Sequence, residues 1–378
     1  MRDIPHWPDP ISHLKRQQPD EVALYFSPAQ LQATAQRFLQ GFDGLVTYAV
    51  KANPGEEVLA NLVAAGVKAF DVASPEEMRA VRRVNPTAIL HYNNPVRSPK
   101  EVALAAELEV ASYSVDCERE LDKIAAVAPG VEISVRLALP IKGAVYDFGE
   151  KFGVGPERAA ALLSRVVELG FVPAVTFHPG TQCANPEAWG QYISVVAKVA
   201  AQAGVKLARL NVGGGFAAHR VGDAPDLEAI FDHVSAEVDR CFGADAPMLV
   251  CEPGRAMVAE AFTLATRVKA IRDGGAVFIN DGIYGGLSEG RDMMMVDRIR
   301  VVRPDGALRK GSREGRVVYG PTCDSIDRLP DPVLLPEDIA EEDYILFDGM
   351  GAYSKAIGTS FNGYGLSEPV TVVNLQRH

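Results

Sequence analysis

Cysteine is scarce in this sequence, with five in 378 residues and no Cys-x-x-Cys pair. The number is odd, and Cys117, Cys183, Cys241, Cys251 and Cys323 are widely spaced. That argues against a disulfide framework and against a zinc site. Most of them are expected to be small, buried apolar residues. No uninterrupted apolar run is long enough to span a bilayer. The opening Met1-Arg-Asp-Ile-Pro-His-Trp-Pro8 does not have the form of a secretion signal, so a cytoplasmic protein is expected. Basic residues are outnumbered, 38 Lys and Arg against 49 Asp and Glu, for a formal charge of −11. This balance argues against nucleic acid or an acidic membrane as the main partner. Low-complexity segments and short repeats are lacking too.

What is present is a long chain of ordinary globular composition, 47% hydrophobic and 23% charged, with room for more than one domain. From residue 46 onward, short apolar runs alternate with amphipathic helical stretches. The runs are 46–51, 69–73, 88–92, 111–115, 132–137, 174–178, 208–212 and 248–251. Helices are expected at 28–40, 56–65, 75–84, 99–108, 117–127, 156–169, 186–203 and 226–242. Ser74-Pro75, Ser98-Pro99 and Asp116 supply N-terminal signals for three of them. Eight even strand–helix units suit a closed (β/α)8 barrel. An open doubly wound sheet is the alternative, but no Gly-x-Gly-x-x-Gly follows the first strand. After residue 256 the runs become short and β-rich, at 262–271, 276–280, 298–303, 315–319, 343–347 and 369–374. We therefore expect an α/β protein in which residues 28–255 form the barrel. Residues 256–378, with 1–27, form a second, mostly β domain that the run Glu21–Phe26 joins.

The stretch Val46-Thr-Tyr-Ala-Val-Lys-Ala-Asn53 places Lys51 at the end of an apolar strand. Such a lysine has two readings. It is a snorkelling side chain at the strand's end, or a desolvated amine able to form a Schiff base. In a barrel, function collects at the C-terminal ends of the strands. Asp71 lies on the second strand and Arg136 near the end of the fifth. His178-Pro-Gly-Thr181 ends the sixth, Gly213-Gly-Gly-Phe216 the seventh, and Glu252-Pro-Gly-Arg255 the eighth. Each element alone reads as a turn or a satisfied polar residue. Together they offer an amine, two glycine loops able to cradle phosphate, an arginine, a histidine and a carboxylate. That inventory suits pyridoxal 5'-phosphate.

Several motifs extend this reading. Tyr48-Ala-Val-Lys-Ala-Asn53, Phe177-His178-x-Gly180, Gly213-Gly-Gly-Phe216, Cys251-Glu-Pro-Gly-Arg255, Gly320-Pro-Thr-Cys-Asp-Ser325 and Met350-Gly-Ala-Tyr353 occur in this order. The set resembles the ornithine/diaminopimelate/arginine decarboxylase family, pyridoxal-phosphate carboxy-lyases of the alanine-racemase-like fold. The resemblance implies that Lys51 holds the cofactor, that Glu252 pairs with its pyridine nitrogen and that His178 stacks on its ring. Thr181, Gly214, Gly215, Gly254, Arg255 and Tyr353 would hold the phosphate. Asp71 and Arg136 would orient Lys51 and His178. Cys323 would return a proton after carbon dioxide leaves. It would do so in the partner subunit's site, so a homodimer with shared active sites is implied. Alanine racemases face the pyridine nitrogen with an arginine, so Glu252 favours decarboxylation over racemisation. Asp324, with Asp292, is the expected anchor for a distal ammonium group.

The expected reaction is L-ornithine to putrescine, a step of polyamine biosynthesis. Lysine or another diamino acid, and diaminopimelate, are the alternatives. A non-catalytic cofactor carrier and a non-catalytic regulator are the rivals. The second domain with Cys323 and Tyr353 argues against the carrier, and retention of Lys51, Glu252 and Cys323 argues against the regulator. Two departures from the family stand out. Pro179 follows His178, and Asp281–Asp292 follows the family pattern only loosely.

Overall fold

A computed structural model describes residues 7–140, 151–330 and 332–375. Residues 1–6, part of the N-terminal stretch read above as no secretion signal, lie outside the described residues. The chain divides into two compact units. One comprises Ala35–Ala217 and Pro225–Gly254, and the other Met1–Thr34, Ala218–Ala224 and Arg255–His378.

The first unit is a closed barrel of eight parallel strands. In order they are Leu45–Ala49, Ala69–Val72, Ile89–Tyr92, Ser112–Val115, Glu132–Arg136, Val172–Thr176, Arg209–Asn211 and Met248–Cys251. Closure pairs Leu45 with Val250 and Val46 with Cys251. These segments are strands because helices cover their outer faces while side chains fill the interior. They therefore read as near-continuous apolar runs, as in the wholly buried Ala-Phe-Asp-Val of the second strand. The expected alternation is found, with ends shifted by one or two residues. Ser74 caps the helix Pro75–Val84, and Ser98 with Glu101 forms a capping box on Pro99–Glu107. Asp116 does not cap the next helix. Cys117 holds that position, and Asp116 accepts the N–H of Gly153 at 3.1 Å instead.

Packing carries the fold to the mouth of the barrel. Phe216 lies 5.2 Å from the Trp189 ring, 5.6 Å from Phe38 and 5.8 Å from Phe231, centroid to centroid. All four rings are buried, each worth about 1.5–3 kcal/mol on leaving water. The Trp189 indole N–H donates to the Val212 carbonyl at 3.2 Å. These contacts clamp both ends of the glycine triplet 213–215.

The second unit is built on a seven-stranded sheet. Its long strand Phe262–Ile271 pairs antiparallel with Tyr344–Asp348 on one side and with Ala23–Phe26 on the other. The early strand thus joins the late sheet, as expected. The core behind it gathers Leu14, Tyr25, Ala265, Val302, Tyr344 and Leu346. The helix Pro10–Gln17 and the strand Val333–Pro336, paired with Arg313–Arg316, were not expected from the sequence.

Candidate active site

Lys51 is not the last residue of a strand. The first barrel strand ends at Ala49, and Val50–Ala52 form one 3-10 turn. The eighth-strand loop braces this turn. The Ala49 N–H donates to the Pro253 carbonyl at 3.2 Å. A Cβ on Gly254 would lie 3.2 Å from the methyl groups of both Ala49 and Ala52, so a bare α-carbon gives the closest approach. The Lys51 side chain is exposed and lines a cavity of about 220 Å³. The desolvation expected of its amine is therefore not supplied by this chain's cavity alone.

Asp71, Asn93, Arg136, His178 and Glu252 line the same cavity. Glu252 is buried, and the side-chain amides of Asn93 and Asn211 both donate to its Oε1 at 2.5 Å. Burial and the neighbouring Asp71 push its carboxyl well above the ordinary range. Asp71 is raised by burial too, against the opposing pull of Lys51, an Asn93 hydrogen bond and Arg136. Its Oδ1 is buried without a hydrogen-bond partner. Glu77, three residues into the helix Pro75–Val84, accepts the Ala73 N–H at 2.7 Å. Burial pushes its carboxyl up to about 7.

His178 accepts the Gly180 N–H on Nδ1 at 3.0 Å, which leaves its proton on Nε2. Burial, Lys51 and Arg136 hold this ring well below its ordinary value, so it is neutral. The Arg136 guanidinium sits 5.3 Å from the Phe152 ring centroid.

The loops after the sixth and seventh strands are tied together. Cys183 donates its N–H to the Gly215 carbonyl at 2.9 Å, with half-buried Thr181 between Gly180 and this tie. Gly215 has φ +84°, and a Cβ there would meet the Gly180 carbonyl oxygen at 2.3 Å. A Cβ on Gly214 would meet the Glu252 carbonyl oxygen at 2.6 Å. Among the described residues the N–H groups of Gly214 and Gly215 have no hydrogen-bond partner. These unpaired donors, an amine, a neutral imidazole and a buried carboxyl fit pyridoxal phosphate.

The remaining expected residues lie in the β-rich unit. Arg255 is buried with both terminal nitrogens on Glu289 at 2.5 Å, and its guanidinium lies 4.8 Å from the Tyr353 ring centroid. Arg220 also reaches Glu289, at 3.4 Å. Tyr353 adopts φ +63°. Cys323 is exposed and donates its N–H to Asn362 Oδ1 at 3.1 Å. Of the other cysteines only Cys183 and Cys251 are fully buried, fewer than expected. Asp324 accepts the Tyr284 hydroxyl at 2.6 Å, and this bond lowers its pKa. Asp292 is exposed and pairs with its neighbour Arg291 at 3.0 Å.

Sequence reading missed the groups that build this geometry, Asn93, Asn211, Glu77 and Glu289 among them. It missed Asp327 as well, which is buried and accepts the Thr322 N–H at 3.0 Å, the Thr322 hydroxyl at 2.7 Å and the Ile283 N–H at 3.1 Å. That carboxylate shapes the loop carrying Cys323 and Asp324.

A lysine just past the first strand, a buried neutral histidine and a buried carboxyl around one cavity of a parallel barrel suit a pyridoxal-phosphate enzyme. Residues 28–259 match the family model for the pyridoxal-binding domain of pyridoxal-dependent decarboxylases, and the chain belongs to that family. The lysine/ornithine decarboxylase of Selenomonas ruminantium is 32% identical over 86% of this chain and 82% of its own. The ornithine decarboxylase of Neurospora crassa is 31% identical over 86% of this chain and 75% of its own. The arginine decarboxylase of Paramecium bursaria Chlorella virus, solved with agmatine, superposes with a TM-score of 0.83 at 27% identity, covering 94% of this chain and 97% of that one. The chain is a carboxy-lyase with pyridoxal phosphate as cofactor. Among the described residues no helix is long and apolar enough to cross a membrane.

Proposed function

We propose that this enzyme decarboxylates L-ornithine to putrescine, with lysine as the second substrate. The observation that carries the reading is Glu252. Its Oε1 is taken by two amides, while its side chain lines the cavity that Lys51 also lines. Held there, pyridoxal phosphate would supply an aldehyde for the substrate amine and an electron sink for the pair released as carbon dioxide departs.

The residues divide the remaining work. Lys51 would hold the cofactor through its amine and give way to the substrate amine. Glu252 Oε2 would accept a hydrogen bond from the cofactor's pyridine N–H, favouring the protonated ring that draws electrons strongly. Neutral His178 would lie against the ring without adding a competing positive charge. Asp71 and Arg136 set the field around Lys51 and His178. The N–H groups of Gly214, Gly215 and Gly254, with Thr181, would hold the phosphate. Arg255 and Tyr353, which the family resemblance also implies, lie in the β-rich unit, where both terminal nitrogens of Arg255 are taken by Glu289. The Cys323 thiol returns a proton to the α-carbon, replacing the lost carboxylate by a C–H bond.

In this proposal the enzyme is a cytoplasmic homodimer, and Cys323 and Asp324 complete the partner's site. Asp324 receives the distal ammonium group. Its hydroxyl donor favours the ionised form needed to pair with that cation. Asp292 has no comparable support, being exposed and engaged by Arg291. The test is Lys51→Ala. The variant is expected to lose the yellow of bound cofactor and nearly all turnover. Wild-type turnover in it would overturn the assignment.

A further inference from the structure

We propose that Asn93 and Asn211 are positioning residues that commit one oxygen of Glu252 and present the other to the ring nitrogen of pyridoxal phosphate. The inference rests on the reading above that Glu252 faces that nitrogen. It goes further by naming what sets the direction of the carboxylate.

Three strand ends converge on this point. Asn93 follows the third barrel strand, Asn211 ends the seventh and Glu252 follows the eighth. Both Nδ2 atoms reach the same oxygen, Oε1, at 2.5 Å. Glu252 Oε2 has no hydrogen-bond partner among the described residues.

The orientation of each amide is fixed by its surroundings. Asn211 accepts the Gly213 N–H on Oδ1 at 2.9 Å, so its Nδ2 has to face Glu252. Asn93 Oδ1 is buried with no partner, whereas its Nδ2 donates to Glu252. Flipping that amide would turn its oxygen toward the buried Glu252 carboxyl group. Asn93 therefore gives up one acceptor to put a donor on Glu252. Asn211 has a second consequence. One side chain holds both the ring-nitrogen acid and the first residue of the glycine triplet, so the cofactor's two ends are referred to a single support.

The test compares two cofactors on cofactor-free protein. One is pyridoxal phosphate, and the other is its 1-deaza analogue, with carbon in place of the ring nitrogen. Wild-type protein is expected to prefer pyridoxal phosphate by about tenfold or more, the worth of one charge-assisted hydrogen bond. Asn93→Ala and Asn211→Ala are each expected to narrow that preference by roughly threefold or more with the analogue's affinity held, since only the directed bond is weakened. Glu252→Gln removes the preference. Should an alanine variant not fold, the near-isosteric Asn→Leu substitution takes its place. Equal losses for both cofactors would mean a merely structural role and would overturn the proposal. So would a full preference in the asparagine variants when Glu252→Gln has lost it. A preference that survives Glu252→Gln would instead overturn the underlying reading that Glu252 meets the ring nitrogen.

Discussion

Glu252→Gln is expected to stabilise the cofactor-free protein while disabling the enzyme. The structure supplies the magnitude. Burial and Asp71 push the Glu252 carboxyl up to about 8, from 4.5 when unfolded. Between those values the folded chain binds a proton that the unfolded chain has released. Stability is therefore complete below about pH 4.5 and falls as pH rises toward 8. At pH 7.5 the deficit is roughly 4 kcal/mol, each pH step counting about 1.4. This is an upper bound, because water entering the cavity and proton sharing with Asp71 both relieve it. Glutamine keeps the oxygen that accepts from Asn93 and Asn211 but cannot ionise. Thermal unfolding of cofactor-free wild type and variant should coincide near pH 4.5. At pH 7.5 the variant should melt several degrees higher, at about 2–4 °C per kcal/mol for a unit of this size. Adding pyridoxal phosphate should reverse the order, because only wild type gains a charged partner for the ring nitrogen. A variant less stable than wild type at pH 7.5, or a difference independent of pH, would refute the reasoning.

Two further outcomes are expected. Mixing inactive Lys51→Ala with inactive Cys323→Ala protein should restore up to about a quarter of wild-type activity, since half of randomly exchanged dimers regain one intact site. No recovery after proven subunit exchange would place both residues in one subunit's site. Asp324→Ala should raise KM for ornithine and lower kcat/KM roughly a hundredfold or more, the cost of leaving a buried ammonium group unpaired. Its cofactor content should stay unchanged, and an unaltered kcat/KM would remove Asp324 from substrate recognition.

The barrel was legible in the sequence because a strand covered on both faces is an apolar run, and eight such runs recur at even intervals. The small errors have local causes. Lys51 reads as strand because Val50 and Ala52 are apolar, yet the chain has already turned into a 3-10 helix braced by Pro253. Asp116 reads as a cap, but the Gly153 N–H claims its carboxylate. Val333–Pro336 was missed because prolines bracket it and its alternate residue Leu334 is exposed, on a short two-stranded ribbon. The reactive groups were legible as types at strand ends. Their supports were not. Asn93 precedes Asn94-Pro95 and reads as turn, and Asn211 precedes three glycines. Only barrel closure brings them to Glu252. Glu289 sits in the stretch that matches the family loosely, where nothing in the sequence forecasts a carboxylate between two buried arginines.

The most direct test of the central claim is carbon dioxide release by the cofactor-loaded enzyme. The substrates are ornithine, lysine, arginine and diaminopimelate, with the amine product identified in each case. Carbon dioxide and putrescine are expected in equal amounts from ornithine, at the highest kcat/KM of the four, with lysine and cadaverine second. Absence of carbon dioxide from all four, with the cofactor bound, would contradict it.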